Sequence, residues 1–156
     1  MNLSEDEALA ASESLFADLA HTLGVGKLPS ADGVARLRFE GDIEVELQGS
    51  APGWFYVLYE AGFSGDFDAH HLLEASLRDE RMSGLSFASD GEGVILLMSC
   101  LPLGGLRVES VVSVLEYFVV VAALIHESGL AVFLASADAD AEDLPAKETA
   151  PRGLRI

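Results

Sequence analysis

The segment from Asp90 to the early 130s constrains the fold of this chain most, because its elements follow one another in a distinctive order. An Asp90-Gly91 turn is followed by a nearly all-apolar strand from Val94 to Leu101, then by Pro102 and a long apolar helix from about Val108. Pro102 ends the strand, since proline cannot donate a hydrogen bond to a sheet. The helix is apolar on more than one face and must be covered widely by that sheet.

Upstream, the sequence predicts a helix, a hairpin and a central strand. Ser4 and Glu7 form a capping box, and apolar residues then recur at helical spacing until Gly24. Apolar and charged residues alternate from Ala35 to Leu47, which predicts two paired strands. The run from Trp54 to Tyr59 is aromatic and β-branched without clean alternation, which indicates a central strand covered on both faces.

The hairpin has one favoured register. If Phe39 lies opposite Ile43 across the Glu40-Gly41-Asp42 loop, opposite charges face each other on the outer side of both strands. The expected pairs are Arg38 with Glu44 and Arg36 with Glu46.

A second helix is expected from about Phe67 to Met82, with Asp66 or Asp68 as its N-cap. It precedes a strand from Gly84 to Ala88, which pairs with the apolar strand through the Asp90-Gly91 turn. The complete order is helix, three strands, helix, two strands, helix. This order predicts an α+β fold with an antiparallel sheet packed by helices.

The chain is expected to form one domain with a tail. Residues 1–134 are assigned to the domain, and residues 135–156 to an acidic, flexible tail, because alternating alanines and acids offer few groups that repay ordering. The 156 residues include 26 acidic and 9 basic side chains, for a formal net charge of -17. Such a surface repels phosphate backbones and anionic lipid headgroups, so nucleic acid is not an expected partner.

Three features favour a cytoplasmic location. The single cysteine, Cys100, lies in the apolar strand and is expected to be a buried, inert thiol in a reducing compartment. Residues Met1 to Glu7 lack the basic region and apolar run of a secretory signal. The apolar run from Val111 to Leu134 is interrupted at Glu116 and broken at His126-Glu127-Ser128-Gly129, short of roughly 20 continuous apolar residues, so membrane insertion is not expected.

The sequence lacks a specific catalytic or metal-binding pattern. His70 and His71 lie near Asp66 and Asp68, but the two rings point about a third of a turn apart on a helix, and no flanking cysteine or third histidine has ligand spacing. Ser99 and His126 are not accompanied by the Gly-x-Ser-x-Gly elbow of serine hydrolases. Gly24-Val25-Gly26-Lys27 follows a helix and lacks the remaining residues of a phosphate loop. No cofactor, metal or enzymatic activity is therefore expected.

From Ser4 to Leu134 the chain resembles the class I chaperones of bacterial type III secretion, the Tir-chaperone type. The residues that carry the resemblance are Phe16-x-x-Leu19, the Arg36-to-Leu47 hairpin, Leu72-Leu73-x-Ala75, Gly84, Asp90-Gly91 and Leu101-Pro102-Leu103. Ser76 stands where the family often has asparagine. The resemblance implies the α+β chaperone fold and a homodimer.

The resemblance also implies two binding surfaces. The two-fold interface would be formed by the second helix and the strand at Leu85 to Ala88, and the cargo would lie as an extended segment on the first helix and the neighbouring sheet. The candidate dimer-interface residues are Leu73, Leu77, Leu85 and Phe87. The candidate effector-binding residues are Leu15, Phe16, Leu19, Leu37, Phe39, Val45 and Leu47.

The implied function is that of a cytosolic chaperone in a virulence-associated secretion system. It would bind the extended N-terminal region of secreted effectors, keep them soluble and secretion-competent, and deliver them to the export apparatus, with the secretion ATPase as a further candidate partner. The alternative is a regulatory protein-binding module of the same fold that controls secretion or signalling. The identity of the bound partner distinguishes the two.

Overall fold

The computed structural model describes residues 2–50 and 52–139. The helices are α1 (Glu5–Thr22), α2 (Ala69–Arg78), α3 (Val108–Ser128) and α4 (Leu130–Ala139). The strands are β1 (Ser30–Ala31), β2 (Val34–Phe39), β3 (Ile43–Ser50), β4 (Trp54–Phe63), β5 (Ser86–Ser89) and β6 (Val94–Pro102). Short 3-10 turns at Ser64–Asp66 and Glu80–Met82 flank α2.

The six strands form one antiparallel sheet in the order β1-β2-β3-β4-β6-β5. β4 and β6 are the longest strands and lie in the interior of the sheet. The predicted α+β fold class and the order of the main elements are confirmed. The short strand β1 and the helix α4 are additions that the sequence pattern did not predict.

The register of the β2–β3 hairpin is the predicted one, with Phe39 opposite Ile43. Arg36 Nη2 lies 3.2 Å from Glu46 Oε2, and Arg38 Nη2 lies 3.5 Å from Glu44 Oε2. Ion pairs this exposed contribute only about 0–1 kcal/mol each. The register is therefore determined mainly by the apolar residues on the opposite face, all of which are buried.

Helices α1 and α3 cover one face of the sheet and enclose the core with it. The predicted capping box starts α1, since Ser4 N donates to Glu7 Oε2 over 2.8 Å and Glu7 N donates to Ser4 Oγ over 3.3 Å. Phe16 of α1 packs on Phe55 of β4 with ring centroids 6.2 Å apart. We call this the helix-covered face of the sheet.

Helix α1 lies directly against the backbone of β3. A Cβ atom added to Gly49 would be 1.7 Å from Ser12 Oγ and 2.8 Å from Ser12 Cβ. The Ser12 hydroxyl is buried and donates to Ala8 O over 2.7 Å, so it cannot swing away freely. Glycine at this position is thus required by close packing.

Two expectations about burial are wrong. The central strand β4 is covered on one face only, because Phe55 and Val57 are buried whereas Trp54 is 44% exposed. Cys100 is exposed, since it lies on the face of β6 that is opposite the helices. Both errors have one cause, which is that the second face of the sheet has no helix on it in the part of the chain described.

The helices α2 and α3 end earlier than the sequence pattern predicts. Asp68 caps α2 by accepting a hydrogen bond from His70 N, and α2 ends at Arg78, after which Asp79 is extended. Gly129, with φ at +82°, ends α3, and α4 continues to Ala139. The predicted domain boundary at residue 135 thus falls inside α4. Residues 140–156 lie outside the described residues, and the flexible tail stays a prediction there.

Helix α4 is fastened to the turn that follows α2. Arg81 pairs with Asp79 over 2.7 Å, and both side chains are nearly inaccessible to solvent. The guanidinium also donates to Phe133 O over 2.7 Å and to Ser136 Oγ over 2.9 Å, and it lies 3.9 Å from the centre of the Phe133 ring. Arg81 therefore joins α4 to the body of the fold by ion-pair, hydrogen-bond and cation–π contacts.

Helix α3 is the only helix within residues 2–50 and 52–139 that is long and apolar enough to span a membrane. One stripe of it, which includes Val111, Leu115 and Phe118, is fully buried against the sheet. In this structure α3 therefore serves as a core helix.

Candidate protein-binding surfaces

The seven candidate effector-binding residues all lie in the core. Each side chain is at most 5% exposed; the residues are Leu15, Phe16, Leu19, Leu37, Phe39, Val45 and Leu47. They form the contact between α1 and the helix-covered face. In this fold they have no surface to offer a partner, and their assignment to direct cargo contact is corrected on that ground.

The four candidate dimer residues divide into two groups. Leu73 and Leu77 lie one turn apart on α2 and are 58% and 75% exposed. Leu85 is buried, and Phe87 is half-buried with its ring against Phe133 at 6.5 Å between centroids. We call Leu73 and Leu77 the α2 stripe. Of the four candidates, only these two leucines are exposed.

Helix α2 lies along the free edge of strand β5. Ser76 Oγ accepts a hydrogen bond from Phe87 N over 3.0 Å and donates to Leu72 O over 2.9 Å. The Ser76 hydroxyl thus provides an acceptor for a backbone N–H at the sheet edge and donates a hydrogen bond to a carbonyl of its own helix. No residue of α2 is buried, so the helix is held by few contacts and keeps one apolar side open.

A second apolar surface lies on the side of the sheet opposite the helices. Its residues come from β4 and β6 and form direct cross-strand pairs, Tyr56 with Cys100 and Leu58 with Met98. None of them is fully buried. We call this surface the open sheet face; its members are Trp54, Tyr56, Leu58, Leu96, Met98 and Cys100. It extends on one side to Ser86 and Ala88 of β5 and on the other to the charged residues of β2 and β3.

The polar outer side of the β2–β3 hairpin also indicates where the open sheet face lies. Glu46 pairs with Leu58 and Gln48 pairs with Tyr56, so the outer side of the hairpin continues onto these apolar residues of β4. The register that placed arginine and glutamate outside therefore also placed Tyr56 and Leu58 outside. An apolar run such as Trp54 to Tyr59 does not by itself show which of its faces a helix will cover.

Two titratable groups on or near the central strands have raised pKa values. Partial burial raises the pKa of the Cys100 thiol above its ordinary value, so the thiol is protonated at neutral pH. Burial also raises the pKa of Tyr59, whose hydroxyl lies 3.2 Å from His126 Nδ1. Within residues 2–50 and 52–139, no three or more His, Cys, Asp or Glu side chains are grouped as metal ligands would be.

No protein-family model and no curated protein matches the sequence. The fold matches solved structures. The Yersinia pestis type III secretion chaperone SycH, in complex with a stable fragment of YscM2, aligns with a TM-score of 0.57 and 21% identity over 72% of this chain and 98% of its own. The ExsC–ExsE complex aligns with a TM-score of 0.61 and 17% identity over 81% of this chain and 96% of the solved chain.

A third match is the HopA1–SchA chaperone–effector complex, with a TM-score of 0.60 and 15% identity over 75% of this chain and 94% of that one. Each match includes nearly the whole length of the solved chain, so the likeness concerns a complete fold and not a shared fragment. The chain therefore has the α+β fold of the type III secretion chaperones, as its sequence predicts.

Proposed function

We propose that this protein is a cytoplasmic chaperone of a type III secretion system. It binds the extended N-terminal region of one or more effectors, keeps them soluble and secretion-competent, and delivers them to the export apparatus, with the secretion ATPase as a candidate recipient. The proposal assigns it no cofactor and no catalytic step. The observation that carries the proposal is a chaperone fold that leaves two apolar surfaces uncovered, the α2 stripe and the open sheet face.

The physical properties of the chain suit this role. An unfolded partner has a large ordering cost on binding, so affinity has to come from apolar anchors spread over a long surface. Apolar side chains that stay exposed in a folded protein mark such contact sites. The net charge of -17 keeps a protein with these surfaces soluble until the partner arrives.

We propose that the α2 stripe forms a homodimer. Leu73 and Leu77 are the most exposed leucines of the described chain and lie on one side of one helix. A two-fold axis next to α2 would bring each stripe onto its copy, because a two-fold interface uses the same surface patch twice. The buried Leu85 and the half-buried Phe87 would support this interface from beneath.

Binding to a defined effector fragment tests the function. The N-terminal region of an effector encoded in the same genome should form a stable complex with the purified chain, measured by titration calorimetry. The same effector without that region is the matched control and should not bind. Absence of binding to every N-terminal region, or equal binding to the truncated effectors, contradicts the proposal. No observation favours the regulatory alternative.

A further inference from the structure

The open sheet face ends at an acidic cleft. Strands β3 and β4 pair only from Glu46 opposite Leu58 to Ser50 opposite Trp54, although β4 continues to Phe63. Where the strands separate they leave a cleft of about 470 Å³. Its charged lining residues are Arg36, Asp42, Glu44, Glu46, Glu60 and Asp90. Leu58 and Leu96 belong to both surfaces, so the apolar face and the cleft are continuous.

The cleft has an excess of negative charge. Five carboxylates line it and a single guanidinium, that of Arg36, opposes them. Glu44 and Glu46 already pair with arginines of β2. Glu60 lies on the exposed side of β4 opposite Leu96 and has no ion-pair partner within the described residues. A cation entering the cleft would therefore find a carboxylate that is not yet neutralised.

Resting on the proposed function, we propose that the open sheet face binds an extended cargo segment whose apolar side chains lie on β4 and β6 and whose lysine or arginine enters the acidic cleft. The apolar pairs Tyr56–Cys100 and Leu58–Met98 supply the contact area. The carboxylates supply selectivity, because an acidic segment would be repelled at the same place. The preferred cargo is thus a segment in which apolar residues are followed by a basic one.

Charge also argues against a second copy of this chain as the occupant. A two-fold contact through the open sheet face would bring two acidic clefts toward each other. Like charges placed face to face oppose association. The α2 stripe carries no such excess, since Glu74 beside it is close to Arg78 and His70.

The single cysteine provides a direct test in the unmodified protein. Cys100 is exposed on the open sheet face, so a bound segment should shield it from a maleimide reagent. The probes are two synthetic peptides of about nine residues, the length of β6, which alternate leucine and threonine and end in either two lysines or two glutamates. At about ten times its dissociation constant, the lysine peptide should slow labelling roughly tenfold. The glutamate peptide should protect weakly, and equal protection by both peptides overturns the proposal.

Charge substitution tests the cleft separately. Glu60→Lys should weaken binding of the lysine peptide about three- to tenfold and strengthen binding of the glutamate peptide. Glu13→Lys makes the same charge change on the exposed side of α1 and is the matched control. If the two variants bind the lysine peptide equally, the cleft is not the basic site. Circular dichroism establishes that both variants are folded before binding is compared.

The effector fragment distinguishes failure of this inference from failure of the proposed function. Binding of the fragment that protects Cys100 supports both. Binding that leaves the labelling rate unchanged overturns the docking surface and leaves the chaperone function standing. If the lysine peptide protects Cys100 but no effector fragment binds, the chaperone function falls and the peptide-binding surface remains.

Discussion

Double substitution of the α2 stripe, Leu73→Glu with Leu77→Glu, should convert the protein from a dimer to a monomer. The two leucines are 58% and 75% exposed, and complete burial of a leucine side chain contributes about 1.5–3 kcal/mol. Burying the exposed parts in both copies therefore contributes about 4–8 kcal/mol to a symmetric dimer. The double variant loses this contribution and adds four carboxylates near the axis. Its dimer dissociation constant should rise at least about 1,000-fold.

Sedimentation equilibrium and light scattering measure this change directly. The substitutions leave the monomer core intact, because no residue of α2 is buried, so circular dichroism should stay the same. Leu9→Glu is the matched control, since Leu9 is a 41% exposed leucine on α1, away from the stripe. A double variant that remains dimeric at micromolar concentration, or a wild-type protein that is monomeric there, would refute the assignment of the interface.

Three further predictions concern the fold. Arg81→Met should lower the free energy of unfolding by about 3–5 kcal/mol in urea titrations, because it leaves the buried Asp79 carboxylate unpaired. The control, Arg78→Met at an exposed arginine, should lower it by less than about 0.5 kcal/mol. Similar losses in the two variants would contradict the role of Arg81. Gly49→Ala should lower the free energy of unfolding by about 1–3 kcal/mol, whereas Gly26→Ala should not, because the space next to Gly26 is open. Equal melting temperatures of the two variants would contradict the close packing at Gly49. Hydrogen bonds from the Ser4 backbone N–H and, to a smaller extent, from its hydroxyl lower the pKa of Glu7, so the contribution of Glu7 to the stability of α1 should be full above the ordinary glutamate pKa and disappear as the pH falls through the lowered value. In an NMR titration, Ser4→Ala should raise this pKa only part of the way toward its ordinary value, because the backbone N–H remains; an unchanged pKa would contradict a role for the hydroxyl in the capping box.

The elements could be predicted from the sequence because their local signals agree. The alternation of apolar and charged residues allowed the β2–β3 register to be predicted to the residue, and a capping box located the start of α1. The glycine at position 129 indicated where α3 ends, but the sequence pattern did not predict that a further helix, α4, follows. Arg81, which contacts Phe133 of α4, is distant in sequence and reaches it only in the folded chain.

The binding surfaces were harder to predict than the fold. Leu15 and Leu37 look the same in sequence as Leu73 and Leu58, since all are apolar residues with regular spacing. Tertiary packing alone decides that α1 covers Leu37 and that no described element covers Leu58. The polar outer side of the hairpin carried this information, because the side opposite to a charged one has to be the core.

The central proposal is that a dimer of this chain binds an extended effector segment on surfaces that the fold leaves open. Native mass spectrometry of the purified chain mixed with an N-terminal effector region measures both parts of the claim at once. We predict a complex that contains two copies of the chain together with the effector region. Substitution of the α2 stripe should reduce the number of copies of the chain in the complex to one. A wild-type chain that stays monomeric and binds no effector region would contradict it.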